Sequence, residues 1–500
     1  MRLRTRPFGR CSAIALAAIL LCAGCGSNAP DHFVKLENGH FTEQGKPFFP
    51  MAINYVAHLQ FNDTACWVAP SRNYEANDRF RYDRKDSTSL LVKAEFELIR
   101  KMGFNTVRVT GLASDLKLKG DSLFPFLPAQ YGWGGDSLYQ LNGDQVERYL
   151  EAVENMVGLA KDAGLKLIIL VKLFPGQPAY EKQTLMLVDR LRNSSAVMAY
   201  DFFNEPLYFD VHDRPKREVH EVVERWQKAF KQHAPRQLTT IGLVGVPEVF
   251  AWDPNVLDVD FISFHPYEYE PDQVMNEIHW YGEQVDKPWI IGETSLPADN
   301  DSVPYAEQLA FARKTLAQTV ACGGVGYSWW QFKDVKWGRF HADYMGVLSQ
   351  DGKTEVAPGL PVVDGAVKPV AEAFKEFNPN TQVGACEEPD NYYNFSSLHD
   401  AKLTGKLLDQ DRKPIEGGVI LGWNEHWTRS YYTKSKADGS FELYGDFRFH
   451  HWMVSATRYS MERGDCAPNA FLTGKDSVPS FYLGEIVLQH VDYADEPAKP

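Results

Sequence analysis

The sequence predicts a (β/α)8 barrel, an α/β fold, followed by a small all-β sandwich. Between residues 50 and 380, eight short apolar runs alternate with segments of helical periodicity, which is the pattern of a parallel barrel enclosed by helices. From residue 401 onward, the pattern changes to short strands separated by turn residues, as in a sandwich. An open, doubly wound sheet is the alternative, but no glycine-rich phosphate-binding turn follows the first apolar run.

The apolar runs are the predicted barrel strands, and most of the intervals between them contain a predicted helix. The strands are placed at residues 51–55, 106–110, 166–173, 197–203, 238–244, 261–264, 289–292 and 325–332. The helices are placed at residues 89–102, 145–163, 220–233, 306–321 and 368–377. Before the barrel domain at 50–380, the tether and hairpin segment at 26–49 contains two short runs, 33–36 and 45–49. These runs predict a hairpin that closes the bottom of the barrel.

The C-terminal part of the chain predicts a sandwich at residues 401–490, after a linker at 381–400 and before a polar tail at 491–500. Its strands are placed at residues 403–408, 418–423, 429–434, 441–444, 452–459 and 481–488. Residues 404–407, 414–419 and 437–441 resemble the carboxypeptidase regulatory-like domain. This resemblance implies a role in stability, spacing or sugar contact rather than in chemistry.

The first 25 residues have the features of an export signal. Arginines at positions 2, 4, 6 and 10 precede an apolar stretch at 12–21, which is too short for an ordinary membrane span. The stretch ends at residues 21–25, LCAGC, which resemble a bacterial lipobox. The resemblance implies cleavage before Cys25, lipidation of its thiol and attachment to the cell envelope, and Gly26 favours the outer membrane. An ordinary secretory signal cleaved nearby is the alternative.

The composition argues against one class of partner. The net charge is −14, and no basic stripe suited to nucleic acid is present. The same acidity suits a neutral sugar better than an acidic polysaccharide. The segment HEVVE at 220–224 lacks the second histidine of a zinc-binding helix. We therefore expect no catalytic metal, and we expect no other cofactor. We also expect the protein to be a monomer.

Four cysteines remain after the predicted signal and lipid-bearing cysteine: Cys66, Cys322, Cys386 and Cys466. An exported protein lies in a compartment that permits disulfides, and four cysteines allow three pairings. We favour a bond between Cys386 and Cys466, because both flank or belong to the sandwich. Cys322 is expected to be a buried thiol.

Two predicted strands end in a glutamate. The segment YDFFNEP at 200–206 runs from an apolar strand to Glu205, and Pro206 prevents further regular pairing. The segment WIIGETS at 289–295 repeats this arrangement with Glu293. The carboxyl ends of barrel strands meet at one face, so both glutamates are expected in one cleft. Paired carboxylates of this kind are what glycoside hydrolysis requires.

Residues on, or directly after, five of the predicted strands carry a family resemblance: Arg108, Asn204, Glu205, His265, Tyr267, Glu293 and Trp330. Their types and order resemble the retaining glycoside hydrolases of clan A, with family 5, the cellulase and mannanase family, as the closest group. The resemblance covers roughly residues 50–377. The third predicted strand carries no histidine at its end, unlike many family 5 enzymes, which leaves the subfamily open.

The resemblance implies that Glu205 is the general acid/base and Glu293 the nucleophile. A glycosidic oxygen must be protonated as its bond breaks, and a carboxyl group can do this near neutral pH only if its pKa is raised. The second carboxylate must stay ionised to attack the anomeric carbon. The guanidinium of Arg108 is suited to hold it in that state.

The other residues are expected to contact the substrate or the two glutamates. Asn204 is placed to bond the sugar 2-hydroxyl, Tyr267 to donate to Glu293, and His265 to join the same polar network.

An indole is expected beneath the reacting sugar, because the C–H face of a pyranose stacks on it. Neighbouring strand residues face opposite sides, so only one of Trp329 and Trp330 can line the site, and we favour Trp330. Asp201 is expected to be structural.

These residues predict an exported, lipid-anchored, retaining β-glycosidase that cleaves β-linked glucans or mannans, or oligosaccharides derived from them. The long loops at 60–87 and 112–143 are expected to decide between an open cleft for endo action and a closed pocket for exo action. A transglycosylase would use the same residues. A glycan-binding lipoprotein without catalysis is the alternative from another class.

Overall fold

The structure is a computed structural model. It describes residues 32–62, 64–70, 82–112, 117–119, 122–124, 143–171, 173, 175–176, 178–206, 215–246, 252–267, 271–336, 338–381, 384–387, 400–426, 430–467, 470–473 and 478–493. The predicted export signal with Cys25, most of the predicted linker and much of the two long loops lie outside these ranges. Within them, no helix combines the length and apolar character needed to cross a membrane.

Eight parallel strands close into a barrel, which confirms the predicted fold class. The barrel strands are β4 Met51–Phe61, β6 Thr106–Thr110, β9 Lys166–Leu170, β10 Val197–Asn204, β11 Leu238–Val244, β12 Ile262–His265, β13 Trp289–Ile291 and β14 Tyr327–Trp329. Each strand bonds to the next in this order, and β14 pairs with β4 to close the ring. The strands predicted at 106–110 and 238–244 match the structure, whereas those predicted at 166–173 and 325–332 end earlier.

Several shorter strands in this part of the chain are not part of the barrel. They are β5 Cys66–Pro70, which pairs with the outer part of β4, the pair β7 Lys117–Lys119 and β8 Ser122–Phe124, and the pair β15 Lys353–Thr354 and β16 Val363–Asp364. Because residues 57–61 pair antiparallel with β5, β4 is much longer than the predicted first strand.

Helices occupy the intervals between the barrel strands. Those within the described residues are α1 Lys85–Lys101, α2 Gly143–Asp162, α3 Pro178–Leu191, α4 Lys216–His233, α5 Pro271–Gln284, α6 Tyr305–Ala321, α7 Phe340–Asp343 and α8 Ala371–Glu376. In α4, Val219, Val223, Trp226 and Phe230 form one buried stripe at helical spacing. This stripe packs on Phe202 of the barrel wall.

A small three-stranded sheet at the N-terminus packs against the bottom of the barrel. Its strands are β1 Val34–Glu37, β2 His40–Glu43 and β3 Lys46–Pro47. Val34 and Phe41 join a buried cluster with barrel residues such as Ile168 and Ile290. The ring of Phe41 lies edge-on to that of Phe261 at 5.1 Å.

The C-terminal region folds as two four-stranded sheets. The strands are β17 Ala401–Asp409, β18 Val419–Trp423, β19 Ser430–Lys434, β20 Ser440–Gly445, β21 His451–Ser455, β22 Glu462–Asp465, β23 Leu472–Thr473 and β24 Pro479–Leu488. One sheet has the order β20-β17-β24-β23 and the other β19-β18-β21-β22.

The sheet containing β18 packs against the barrel. Leu421, Trp423 and Met453 belong to the same buried apolar cluster as the barrel core. Beside this contact, Asp253 accepts hydrogen bonds from Lys216 Nζ at 2.9 Å and from the Tyr493 hydroxyl at 2.8 Å. The two folded parts therefore share one continuous core.

The cysteine pairing predicted from the sequence is wrong. Cys322, which directly follows α6, is bonded to Cys386 and is not the free thiol that we expected, and Cys466 is a free, buried thiol in the sandwich core. The reason lies in the path of residues 384–387, which follow the barrel: Glu387 bonds the side chain of Gln318 on α6 through its N–H and its carbonyl. Cys386 is therefore held beside Cys322 and not beside the sandwich.

Candidate active site

The barrel gathers the predicted site residues at one rim. Asn204 and His265 end β10 and β12, and Glu205 and Glu293 follow the ends of β10 and β13. One carboxylate oxygen of Glu205, one of Glu293 and a ring nitrogen of His265 lie within 4.8 Å of one another. Such a short spacing suits direct attack by one carboxylate, because retaining glycosidases hold their carboxyl groups about 5–5.5 Å apart.

Glu205 occupies a backbone conformation that non-glycine residues rarely adopt. Its φ is +50°, and its N–H donates to the carbonyl of Gly242 on the adjacent strand at 2.9 Å. Strain of this kind persists where the surrounding structure fixes it, which is common at functional sites. Burial raises the pKa of the Glu205 carboxyl to about 7. The group is therefore suited to carry a proton near neutral pH.

Glu293 is bound by two donors. Its Oε1 contacts Nη1 of Arg108, and its Oε2 accepts the hydroxyl proton of Tyr267 at 3.0 Å. The carboxylate is only 4% exposed. Both donors stabilise the charged form, as a nucleophile requires.

The two carboxyl groups compete for protons. Burial raises the pKa of Glu293 as well, while the charge of Arg108 and the hydroxyl of Tyr267 act in the opposite direction. The side chain of Glu205 instead bonds to His265, whose pKa burial lowers to about 4. A neutral imidazole stabilises an anion less than a guanidinium does, so the first proton bound belongs on Glu205.

Arg108 is a buried residue at the centre of the site, and its guanidinium group donates hydrogen bonds to four side chains. Its Nε donates to Asp201 at 2.8 Å, Nη2 to Asn204 at 2.7 Å, and Nη1 to Asn54 at 2.9 Å as well as to Glu293. The fork is thus oriented by three partners before it reaches the glutamate.

Two residues of this network lie outside the predicted set. Asp201, expected to be structural, holds the guanidinium of Arg108 in a fully buried ion pair. Asn54 accepts from Arg108 and donates to the carbonyl of Gly292, directly before the second glutamate. The signal for each is a polar residue inside an otherwise apolar strand, which is costly to bury unless it is bonded.

His265 lies between the glutamates. Its Nδ1 is 2.9 Å from Oε1 of Glu205, and the ring is fully buried. Glycines make room for the ring: a Cβ at Gly242 would stand 2.7 Å from Cε1, and one at Gly292 would stand 2.8 Å from Nε2. Any larger residue at these positions would displace the histidine.

The two tryptophans at the end of β14 occupy different environments. Trp329 is fully buried among Phe311 and Phe374 on the helix side, and its indole donates to the carbonyl of Met345. Trp330 is partly exposed, and its backbone N–H donates to the carbonyl of Thr294, the residue directly after Glu293. The peptide bond between Trp330 and Gln331 is cis. Of the two, Trp330 is the one available to a ligand at this rim.

Comparison with known proteins finds one family model, described as cellulase (glycosyl hydrolase family 5), which matches residues 80–335. A search of curated proteins found no match. The barrel resembles solved structures at low identity. GH5_18 from Streptomyces cattleya, in complex with GlcNAc, is 16% identical over 72% of this chain and 85% of that one, with a TM-score of 0.46.

Two further structures show likeness of the same order. The exo-β-1,4-mannosidase Op5Man5 from Opitutaceae bacterium strain TAV5 is 15% identical over 70% of this chain and 62% of that one, with a TM-score of 0.47. A β-D-glucuronidase for Dictyoglomus thermophilum is 14% identical over 69% and 53%, with a TM-score of 0.43. The chain spans about half the length of that glucuronidase.

Proposed function

Because the family model matches about half of its length, the chain belongs to glycosyl hydrolase family 5, and we propose that it hydrolyses β-linked glucans or mannans, or oligosaccharides cut from them, with retention of configuration. The observation that carries the proposal is the pair of buried carboxyl groups, Glu205 and Glu293, with oxygens within 4.8 Å of each other. Both groups that a double displacement needs are present, each in an environment suited to its role.

In the first step, the carboxylate of Glu293 attacks the anomeric carbon and the glycosidic oxygen leaves. Glu205 gives its proton to that oxygen, which would otherwise be a poor leaving group. The negative charge of Glu293 becomes part of a covalent ester. Arg108 and Tyr267 orient the attacking carboxylate before reaction.

In the second step, Glu205 acts as a base. Once Glu293 is an ester, its charge no longer opposes ionisation of the nearby carboxyl, so the pKa of Glu205 falls. Glu205 then accepts a proton from water, which attacks the same carbon from the face that the first leaving group occupied. Two inversions give net retention.

The substrate contacts follow from the same rim. Asn204 is oriented by Arg108 and is proposed to bond the sugar 2-hydroxyl, an interaction that strengthens in the transition state. Trp330 is proposed as the floor beneath the reacting sugar. His265 is proposed to orient the carboxyl group of Glu205.

The location and the accessory domain are also proposals. The segment at residues 21–25 supports anchoring through a lipid on Cys25 at the cell envelope. A monomeric state is proposed as well. The sandwich is proposed to be a carboxypeptidase regulatory-like domain with a role in stability, and its packing against the barrel supports this role.

A substrate screen tests the proposal. A form of the protein that lacks residues 1–25, and therefore the predicted lipid anchor, is assayed on aryl β-glycosides and on β-glucan, mannan and xylan polymers. Glu293→Ala serves as the inactive variant, and Glu283→Ala, which removes an exposed glutamate on α5, serves as the matched control. We expect activity in the wild type and in Glu283→Ala, with a loss of at least roughly 10⁴-fold in Glu293→Ala.

The products separate the remaining alternatives. New reducing ends from a polymer indicate endo action, and activity on aryl glycosides alone indicates an exo-enzyme with a closed pocket. Transfer to an added sugar acceptor in preference to water indicates a transglycosylase. Binding on a glycan array without turnover of any bound glycan contradicts the proposal and supports the non-catalytic lipoprotein.

A further inference from the structure

The side chain of His265 has two ring nitrogens, and the partner of Nε2 decides which of them carries the proton. A neutral imidazole carries one proton, and the partner of each ring nitrogen selects the tautomer. On one side, Nδ1 faces Oε1 of Glu205 at 2.9 Å, and either atom can be the donor in that contact. The other nitrogen, Nε2, therefore determines which arrangement the site adopts.

Ser263 borders Nε2. It stands two residues before His265 on β12, so both side chains point to the same face of the strand, into the barrel. A Cβ at Gly292 would lie 1.8 Å from the Ser263 hydroxyl oxygen and 2.8 Å from Nε2 of His265, which places both atoms against the same glycine.

Both atoms are buried and need a partner. Ser263 is 1% exposed and His265 is fully buried. Within the described part of the chain, neither the Ser263 hydroxyl nor Nε2 has a hydrogen-bond partner at ordinary geometry. A buried polar atom without a partner is unfavourable, and a hydroxyl can rotate its proton towards a nearby acceptor. The simplest way to satisfy both atoms is to pair them.

We propose that Ser263 is a positioning residue, whose hydroxyl donates to Nε2 of His265 and thereby keeps the ring proton on Nδ1, facing Glu205. This inference rests on the proposed role of Glu205 as the acid/base, and it names a residue that acts through His265 without touching the substrate.

The chemical benefit concerns which oxygen of Glu205 carries the acidic proton. With Nδ1–H donating to Oε1, that oxygen is occupied as an acceptor, and the proton of the carboxyl group resides on Oε2. That proton is then not shared with the histidine and is available to the leaving group. In the second step, the same N–H stabilises the carboxylate that acts as base.

The charges around His265 define the competing arrangement. The carboxylate of Asp201 also acts on His265 and would attract a proton to its ring. Arg108 binds only Oδ2 of this carboxylate, through two nitrogens, and Oδ1 has no hydrogen-bond partner among the described residues. The other titratable groups facing this pair are Glu293 and Tyr267. A proton on Nε2 would be the outcome if Asp201 dominated over Ser263.

Nitrogen NMR on the form that lacks residues 1–25, labelled with ¹⁵N-histidine, tests the proposal directly. The chemical shifts of the two ring nitrogens distinguish the tautomers, and His265→Asn assigns the signal. We expect the Nδ1–H tautomer in the wild type near pH 7, where burial keeps the ring neutral. We expect Ser263→Ala to move the population towards Nε2–H.

Thr240→Val is the matched control, because Thr240 carries another buried hydroxyl without a hydrogen-bond partner among the described residues. Thr240 lies on β11, opposite Asp201 of β10. The Thr240→Val variant should leave the tautomer unchanged. An Nε2–H tautomer in the wild type, or the same tautomer in wild type and Ser263→Ala, overturns the proposal. The wild-type spectrum decides even if the alanine variant does not fold.

Kinetics give a second readout on the substrate found by screening. Ser263→Ala should lower kcat/KM about tenfold, the effect of one ordinary hydrogen bond. Its alkaline limb should move to higher pH, because Nδ1 would then accept from the protonated carboxyl of Glu205 and raise its pKa. An unchanged pH profile contradicts the proposal. The NMR result does not depend on turnover, so failure of the proposed function and failure of this inference are distinguishable.

Discussion

Glu205 and Glu293 carry the same functional group, and their surroundings give them different chemistry. Arg108 and Tyr267 both stabilise the charged form of Glu293. Glu205 has instead a neutral imidazole beside it and a strained backbone beneath it. This contrast supports our proposal that the proton belongs on Glu205 and the negative charge on Glu293, as in other enzymes that separate the roles of two carboxyl groups.

The raised pKa of Glu205 predicts the pH dependence of kcat/KM. The acid must be protonated to act, so activity is present below the pKa and is lost as the pH rises through about 7. We expect kcat/KM to fall about tenfold per pH unit above that value. A limb that begins near pH 9 would contradict this assignment. Glu205→Gln, which cannot titrate, should show low activity without the limb.

The position of a residue that follows a strand is easier to infer from the sequence than the partner of a polar residue within a strand. Glu205 and Glu293 follow apolar runs, so their position at the rim can be inferred from the pattern alone. Asn54 and Asp201 stand inside such runs, where a polar residue gives no indication of its partner. Only closure of the barrel brings Asn54 of β4 next to Gly292 at the end of β13.

At the scale of elements, the disulfide between Cys322 and Cys386 links the segment that follows the barrel to the C-terminal end of α6. Cys322 directly follows that helix, and Cys386 is 64 residues later. The segment between the two cysteines contains β14 and Trp330, which directly follows that strand. The pairing of Cys322 with Cys386 was not predictable from the sequence, because the path of residues 384–387 depends on the hydrogen bonds of Glu387 to Gln318 and not on a local pattern.

Cys386→Ser should destabilise the protein substantially. A cross-link over 64 residues reduces the entropy of the unfolded chain, with a contribution of about 4 kcal/mol to the free energy of unfolding. Urea denaturation with and without reductant measures this difference. Adding reductant should have little further effect on the variant.

Cys466→Ser is the control, because Cys466 is a free thiol in the sandwich. Its free energy of unfolding should retain the full dependence on reductant. If the reductant dependence disappeared in Cys466→Ser, the observed pairing would be wrong.

On the scale of the whole molecule, the barrel and the sandwich are one structural unit. Apolar residues of the sandwich, such as Trp423, complete the core that surrounds the barrel. The buried ion pair between Lys216 and Asp253 lies beside the backbone N–H of Arg458, which also donates to Asp253. The two parts are therefore expected to unfold together.

Asp253→Asn tests this coupling. The change leaves the buried ammonium group of Lys216 without its counter-charge, which should cost about 3–5 kcal/mol in the free energy of unfolding. Denaturation followed by tryptophan fluorescence and by circular dichroism should give coincident transitions, shifted together to lower denaturant. Arg412→Ala, which breaks an exposed ion pair within the sandwich, should cost about 0.5 kcal/mol. Two separate transitions in the wild type would contradict a single unit.

The fold class was predictable at this scale, because repeated strand–helix alternation constrains the topology strongly. The same topology places the residues that follow β10 and β13 at one rim. How the sandwich packs on the barrel was not predictable, because its contacts join residues far apart in the chain, such as Asn276 and Tyr432. No local pattern in the sequence contains that information.

The stereochemistry of hydrolysis tests the central claim most directly. Proton NMR, recorded during the first minutes of cleavage of the aryl β-glycoside selected by the screen, identifies the anomer released before mutarotation. The close spacing of Glu205 and Glu293 predicts that the β-anomer appears first. Initial release of the α-anomer would show single displacement by water and would contradict Glu293 as the nucleophile.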